Sequence, residues 1–174
     1  WKDMERAVEL GKVRSLGISN FENFNFDKII DHAKILPAVH QIECHPYRQM
    51  KEMRKKMAQY NMKLTCWYPL GGRGEGGTKA ILGNERICQI AAAHGKTAAQ
   101  VVLRFEMQEG MIAIPGSFDP AHIAENFASQ DFTLSTDEME RIRGLNKEKR
   151  FFVALEGISF EQAEANVLSR KLPK

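Results

Sequence analysis

The sequence predicts an α/β protein built on a parallel sheet. The hydrophobic period switches repeatedly between about 3.6 and 2, the mark of alternating helices and strands. Four strand–helix units follow one another before Leu145, and connections this short between parallel strands imply right-handed crossovers. The composition, 43% hydrophobic and 27% charged with 13 Gly and 6 Pro in 174 residues, supports one packed core and excludes collagen-like, low-complexity and disordered classes. Two architectures satisfy these signals: an open doubly wound sheet, or part of a (β/α)8 barrel, which takes about 250 residues and eight strands when complete.

Each element has a local reason. Trp1, Met4, Val8 and Leu10 lie on one helical face, and Gly11 is placed to end that helix. Val13 to Ser19 reads as a strand with Leu16 and Ile18 on one side and Ser15, Gly17 and Ser19 on the other. A helix over Phe26 to Ala33 precedes Pro37, then come a strand from Ala38 to Ile42, a charged amphipathic helix from Met50 to Tyr60 with its methionines toward the sheet, and a strand from Met62 to Trp67. Five glycines crowd Gly71 to Gly77; helices around Glu85 to Ala93 and from Thr97 to Gln108 follow, the second with Thr97 and Gln100 at capping-box spacing. Met111 to Ile114 is the fourth strand, stopped by Pro115-Gly116. Asp119-Pro120 opens another helix, and Ser135 with Glu138 caps one that runs to Leu145. We therefore divide the chain into a body, residues 1–145, and a tail, residues 146–174, with a weak helical pattern expected to lie over the body.

The remaining composition narrows the partners. A net charge of +3, densest at Lys55-Lys56 and Arg170-Lys171, gives no nucleic-acid footprint. No apolar run approaches the roughly 20 residues of a membrane helix. Cys44, Cys66 and Cys88 lack metal-ligand spacing and fit reduced thiols of a cytoplasmic protein. No signal peptide is visible. The chain opens at Trp1, inside a helical pattern and without an initiator Met, so we expect it to be cut from a longer one.

In either architecture ligands gather at the carboxyl ends of the strands. These ends read Ser19-Asn20-Phe21, Gln41-Ile42-Glu43-Cys44-His45-Pro46, Trp67-Tyr68-Pro69-Leu70-Gly71 and Ile114-Pro115-Gly116-Ser117. Each pairs a short polar or large aromatic side chain with a turning residue. Alone, any one is ordinary turn chemistry; four around one rim suit a shared ligand. The amides suit a planar carboxamide, Trp67 suits an aromatic ring, and Ser117 before a helix start suits a phosphate. Together they describe a nucleotide cofactor. Gly72, Gly74 and Gly77 match G-x-G-x-x-G, yet they follow Pro69, open no evident helix and lack the acidic partner about 20 residues on, so a loop arching over the cofactor is the reading we take.

The sequence closely resembles the carboxyl-terminal half of the aldo-keto reductases, prokaryotic type included. Gly11-Lys12-Val13-Arg14 running into Gly17-Ile18-Ser19-Asn20-Phe21, Gln41 to Pro46, Trp67 to Gly71, Ala99 to Arg104, Ile114 to Ser117, Ala124-Glu125-Asn126 and Leu134-Ser135 with Glu138-Met139 occur in the family's order. The resemblance implies a TIM barrel, of which this chain supplies the C-terminal four βα units, and reduction of a carbonyl substrate with NADP(H). It assigns Ser19, Asn20 and Gln41 to the nicotinamide carboxamide, Trp67 to stacking on the ring, and Leu70 with its neighbour Tyr68 to the pyrophosphate and ribose. Ser117 and Phe118 line the adenosine phosphate site, and Glu125 and Asn126 meet the adenine. Gly116 and His122 stand where the family commonly has Lys and Arg against the 2′-phosphate of NADP, and Asp119 adds a negative charge beside them. We therefore expect a weakened NADP preference with NAD(H) tolerated.

The family's catalytic Tyr, Lys, Asp and His belong to the first half of the barrel by this resemblance. Tyr60 ends a helix away from the rim, Tyr47 lies in the loop after the second strand, Tyr68 has no lysine partner at a recognisable spacing, and His32, His40, His45 and His94 read as structural or surface residues, so no catalytic residue is assigned. The isolated chain is expected to be inactive, to expose its first and fourth strands as edges, and to self-associate or require the other half. A non-catalytic nucleotide-binding accessory module of the same fold is the alternative.

Overall fold

The computed structural model describes residues 1–72 and 76–152. Four parallel strands, β1 (Gly17–Ser19), β2 (Val39–Glu43), β3 (Lys63–Trp67) and β4 (Ile112–Ala113), lie side by side in chain order. Helices α1 (Lys2–Glu9), α2 (Asn23–His32), α3 (Lys51–Ala58), α4 (Gly77–Leu82), α5 (Glu85–His94), α6 (Ala98–Gln108), α7 (Pro120–Phe127) and α8 (Thr136–Arg143) connect or flank them. Sequential order with every pair parallel is the topology of consecutive βα units of a barrel.

Alternation along the strands separates two faces. Ile18, His40, Ile42, Leu64 and Cys66 are buried, and with Phe26, Met53, Met57, Met62 and Met111 they form the core between sheet and helices. Each such apolar side chain contributes about 1.5–3 kcal/mol. The methionines of α3 face the sheet as its periodicity predicted. The register sets Ser19 beside Gln41, Gln41 beside Thr65 and Thr65 beside Ile112, and this opposite face is largely open, with Ser19 and Ile112 exposed and Gln41 half-buried. A second core joins α4, α5, α6 and α8 through Ile81, Ile87, Ile90, Val102, Phe105 and Ile142, and takes in Tyr47 and Phe151.

Local chemistry fixes the helix ends. Thr97 and Ser135 each complete a capping box, with Gln100 and Glu138 respectively. Asp119 caps α7 by accepting from the Ala121 N–H at 2.8 Å.

The structure corrects four expectations. In α1, Met4 and Leu10 are exposed; the buried residue is Glu5, whose carboxylate accepts from the backbone N–H groups of Lys34 (2.7 Å) and Ile35 (3.0 Å). The first strand is confined to Gly17–Ser19, and Val13 is exposed. The fourth is only two residues long. A helix does open on the last glycine of the glycine-rich stretch: α4 begins at Gly77, with Gly76 in the left-handed region before it. The glycines there serve close packing. A Cβ on Gly77 would sit 2.0 Å from the Gly71 carbonyl oxygen, and one on Gly72 2.2 Å from the Tyr68 ring. Residues 73–75, the middle of the expected loop, lie outside the described residues, as does the tail's helical pattern beyond Phe152. After α8 the N–H groups of Lys147 and Lys149 both donate to the Tyr47 carbonyl at 3.0 Å. Among the described residues no helix is long and apolar enough to cross a membrane.

Candidate dinucleotide site at the carboxyl rim

The strand ends bring the first group of expected residues together. β1 ends at Ser19, and the next residue, Asn20, takes a left-handed φ of 57°, which Asn tolerates better than most residues. That turn lets the Asn20 N–H donate to the Gln41 carbonyl at 2.9 Å and aims its side chain across the sheet. Asn20 Nδ2 donates to Ser19 Oγ at 3.1 Å, while its Oδ1 accepts from Trp67 Nε1 at 2.8 Å. Ser19, Asn20 and Trp67 thus form one chain of hydrogen bonds over the end of β2, and Gln41 sits beside Ser19 in the register. The bond to Asn20 fixes how the half-buried indole is turned.

Tyr68 follows β3, also at positive φ (54°), a strained conformation for a tyrosine. Its ring meets Trp67 edge-on, with centroids 4.8 Å apart. Tyr68, Leu70 and Gly116 line one cavity of about 320 Å3 with Pro69, Gly72, Thr78, Ile114 and Pro115, so residues from two strand ends share a hollow of small-ligand size.

The phosphate and adenine group is more dispersed. Ser117 Oγ accepts from the Asp119 N–H at 3.1 Å, and the Asp119 carboxylate lies 3.8 Å from His122 Nδ1, both side chains exposed. Phe118 projects fully into solvent. Among the described residues, no atom beyond its chain neighbours lies within 4 Å of where a Gly116 side chain would begin. Glu125 and Asn126 do not join the Tyr68 cavity. The Glu125 carboxylate accepts from Thr97 Oγ1 and its carbonyl from Gln100 Nε2 at 3.0 Å, tying it to α6; Asn126 lines a separate hollow with Leu103, Met107 and Ile123.

Sequence reasoning missed Glu43, Phe151 and Phe152. Glu43 ends β2 on the open face, yet it is buried because the segment after α8 lies across it. Its Oε1 accepts from the N–H groups of Phe151 (2.6 Å) and Phe152 (3.3 Å) and lies 3.2 Å from His45 Nε2; Arg48 approaches its Oε2 at 3.9 Å. Burial favours the protonated carboxyl, but His45 and the two backbone donors outweigh it and hold Glu43 below the ordinary carboxylate range. Glu22 braces the same segment, pairing with Arg48 at 3.5 Å and with Arg150. The result sets the Phe152 ring perpendicular to Trp67 at 5.5 Å. Nothing in the local sequence around Glu43 signalled a partner 108 residues away.

The other singled-out groups are structural. Tyr47 donates its hydroxyl to the Ala80 carbonyl at 3.0 Å and accepts from Asn84 at 2.9 Å. His40 is fully buried behind β2, and its Nε2 accepts from the Phe21 N–H at 3.1 Å. Cys66 is a buried thiol pushed up by its hydrogen bond to Cys44 and by burial, as befits an unreactive neutral group.

The comparisons with known proteins cover this rim and its scaffold. The model of the Aldo/keto reductase family matches residues 1–147. The chain is 41% identical over 150 residues to the 9,11-endoperoxide prostaglandin H2 reductase of Trypanosoma cruzi, covering 86% of this chain and 52% of that protein. It is 37% identical to the glyoxal reductase of Bacillus subtilis, with the same two coverages. A variant of Gox0644, solved as a crystal structure in complex with NADPH, superposes with a TM-score of 0.77 at 38% identity, covering 84% of this chain and 52% of that one. The chain therefore spans about half the length of the relatives it matches. Its parallel βα order, its rim motifs and a family match over most of its length agree: the chain belongs to the aldo/keto reductase family.

Proposed function

We propose that this chain is the cofactor-holding half of an NADP(H)-dependent carbonyl reductase acting on small aldehydes or ketones. The observation that carries the reading is the hydrogen-bonded set Ser19–Asn20–Trp67 with Gln41 beside it, at the carboxyl ends of neighbouring parallel strands. Its donor and acceptor chemistry fits a nicotinamide: small polar groups for a carboxamide next to an indole held in one orientation, and beside them a cavity of about 320 Å3 for the adjoining ribose and pyrophosphate. When bound, the dinucleotide supplies a hydride to the substrate carbonyl.

On this reading Ser19, Asn20 and Gln41 hold the carboxamide and Trp67 covers the ring. Tyr68 and Leu70 bound the pyrophosphate and ribose. Ser117 and Phe118 meet the adenosine phosphate, with the α7 N-terminus offering its free N–H groups. Glu125 and Asn126 are assigned to the adenine, which requires the Glu125 carboxylate to remain at the edge of α6 where Thr97 now holds it. The relatives' names, glyoxal reductase among them, support a carbonyl substrate, and the reduced thiols support the cytoplasm.

The proton donor comes from the other half of the barrel. Tyr47 has both hydrogen-bonding directions of its hydroxyl engaged, and the Tyr68 ring is packed on Gly72 and Trp67. That half covers the open sheet face, and the chain by itself binds without turning over.

Gly116 and the His122–Asp119 pair set the preference between dinucleotides. Among the described residues at these positions, a 2′-phosphate meets an imidazole already facing a carboxylate in place of the two cations common in the family. Calorimetric titration should therefore give NADPH and NADH dissociation constants within about a hundredfold of each other, whereas a ratio above about a thousandfold would contradict this assignment. Gln41→Ala should weaken NADPH about tenfold through loss of the amide contacts, and an unchanged affinity would remove Gln41 from the site.

A further inference from the structure

At the opposite end of the strands from the rim, the start of β3, the turn before β4 and one side of α3 enclose a cleft of about 590 Å3. Lys51, Arg54 and Lys55 of α3, Lys63 at the head of β3 and Arg143 of α8 line it, with Glu109 as the carboxylate among them. Glu109 is engaged by both arginines: Arg54 donates to its Oε2 at 2.7 Å, and Arg143 Nε to its Oε1 at 2.7 Å. Arg143 also reaches Glu140 at 2.5 Å. Two carboxylates thus balance two arginines and hold their guanidinium planes in place. Lys51, Lys55 and Lys63 are exposed, and no described carboxylate pairs with them.

The floor is the buried layer of Met57, Met62, Leu64 and Met111, and low-dielectric walls below charges of one sign focus the field into the opening. The volume lies in the range of small-molecule sites and is too small for a macromolecular partner. Among the described residues no aromatic ring lines it for a base to stack on; what they offer is positive charge from two helices and a strand. We propose that this cleft is a second, separate binding site, for a small polyanion carrying adjacent phosphate groups, with Lys51, Lys55 and Lys63 as its ligands and the Arg54–Glu109–Arg143 unit as its rigid wall.

Inorganic tripolyphosphate titrated into the full chain by calorimetry at low salt tests this. The expected result is one saturable site, weakened at least about tenfold when sodium chloride is raised to about 0.5 M. In Lys51→Ala/Lys55→Ala/Lys63→Ala it should be lost while NADPH quenching of Trp67 fluorescence is retained. These side chains are exposed, so the fold should survive; if circular dichroism shows otherwise, the single change Lys55→Glu must weaken tripolyphosphate at least about tenfold instead. Absence of binding in the folded native chain, or equal affinity in the lysine variants, which would place tripolyphosphate at the rim around Ser117, overturns the proposal.

Discussion

At the scale of single residues, two buried groups carry much of the rim. Glu43 is the point at which the segment after α8 is fastened over β2, and through Phe152 it sets the surroundings of Trp67. Glu43→Ala would leave two backbone donors, His45 and Arg48 facing a buried gap, so urea unfolding at neutral pH should show a loss of about 3 kcal/mol; a loss below about 0.5 kcal/mol would show that the fastening contributes nothing. His40 gives a pH dependence. Burial lowers it to about 4, against a smaller opposing pull from Glu22, so the folded state holds it neutral while the unfolded chain takes up a proton near pH 6.5. The unfolded state binds more protons between those values, so stability falls as pH drops from about 6.5 toward 4, by about 3 kcal/mol at most. His40→Gln keeps an acceptor for the Phe21 N–H but never charges, and should flatten that part of the stability–pH curve; an unchanged slope would assign the acid sensitivity elsewhere. Ser19, Asn20 and Trp67 stood out in the sequence because they lie at strand ends and Gln41 because it sits in the adjoining strand, while the dinucleotide roles proposed for them come from the family resemblance. The roles of Glu43 and Phe152 were not legible, because they arise from a contact between distant segments that no local pattern encodes.

At the scale of elements, the helix starts were the most legible features, since capping is a local exchange between a side chain and the first free N–H groups. The structure bears out the caps at Thr97, Asp119 and Ser135. Ser135→Ala and Thr97→Ala should each cost about 1 kcal/mol in urea unfolding, and a cost near zero for either would mean that water replaces the cap fully. The element missed, α4, has no such signal. It starts on glycines, spans six residues and is too short for apolar periodicity to emerge. What fixes it is tertiary: Gly71 and Gly77 pack backbone to backbone, and Ile81 is fully buried in the helical core. The apolar face expected for α1 failed for a related reason. Glu5 supplies the buried contact by satisfying the backbone at Lys34 and Ile35, a polar anchor that a hydrophobic pattern cannot show.

At the scale of the whole molecule, βα alternation alone left an open sheet and a barrel segment equally admissible, since both are built from the same right-handed βαβ crossovers. Chain-order pairing and the family match decide for the barrel. One face of the sheet is covered by helices. The other presents Ser19, Gln41 and the exposed Ile112 and Ile114, which is the face a further four strands would close. The proposed division of labour follows: this half grips the dinucleotide, and the proton chemistry lies across that face. The most direct measurement is the fluorescence of the purified chain titrated with NADPH, with Trp67→Phe as control for the background from Trp1. Saturable quenching in the native chain that disappears in Trp67→Phe is the predicted result. A folded chain whose emission does not respond, or quenching that persists unchanged in Trp67→Phe, would contradict a dinucleotide site at this rim.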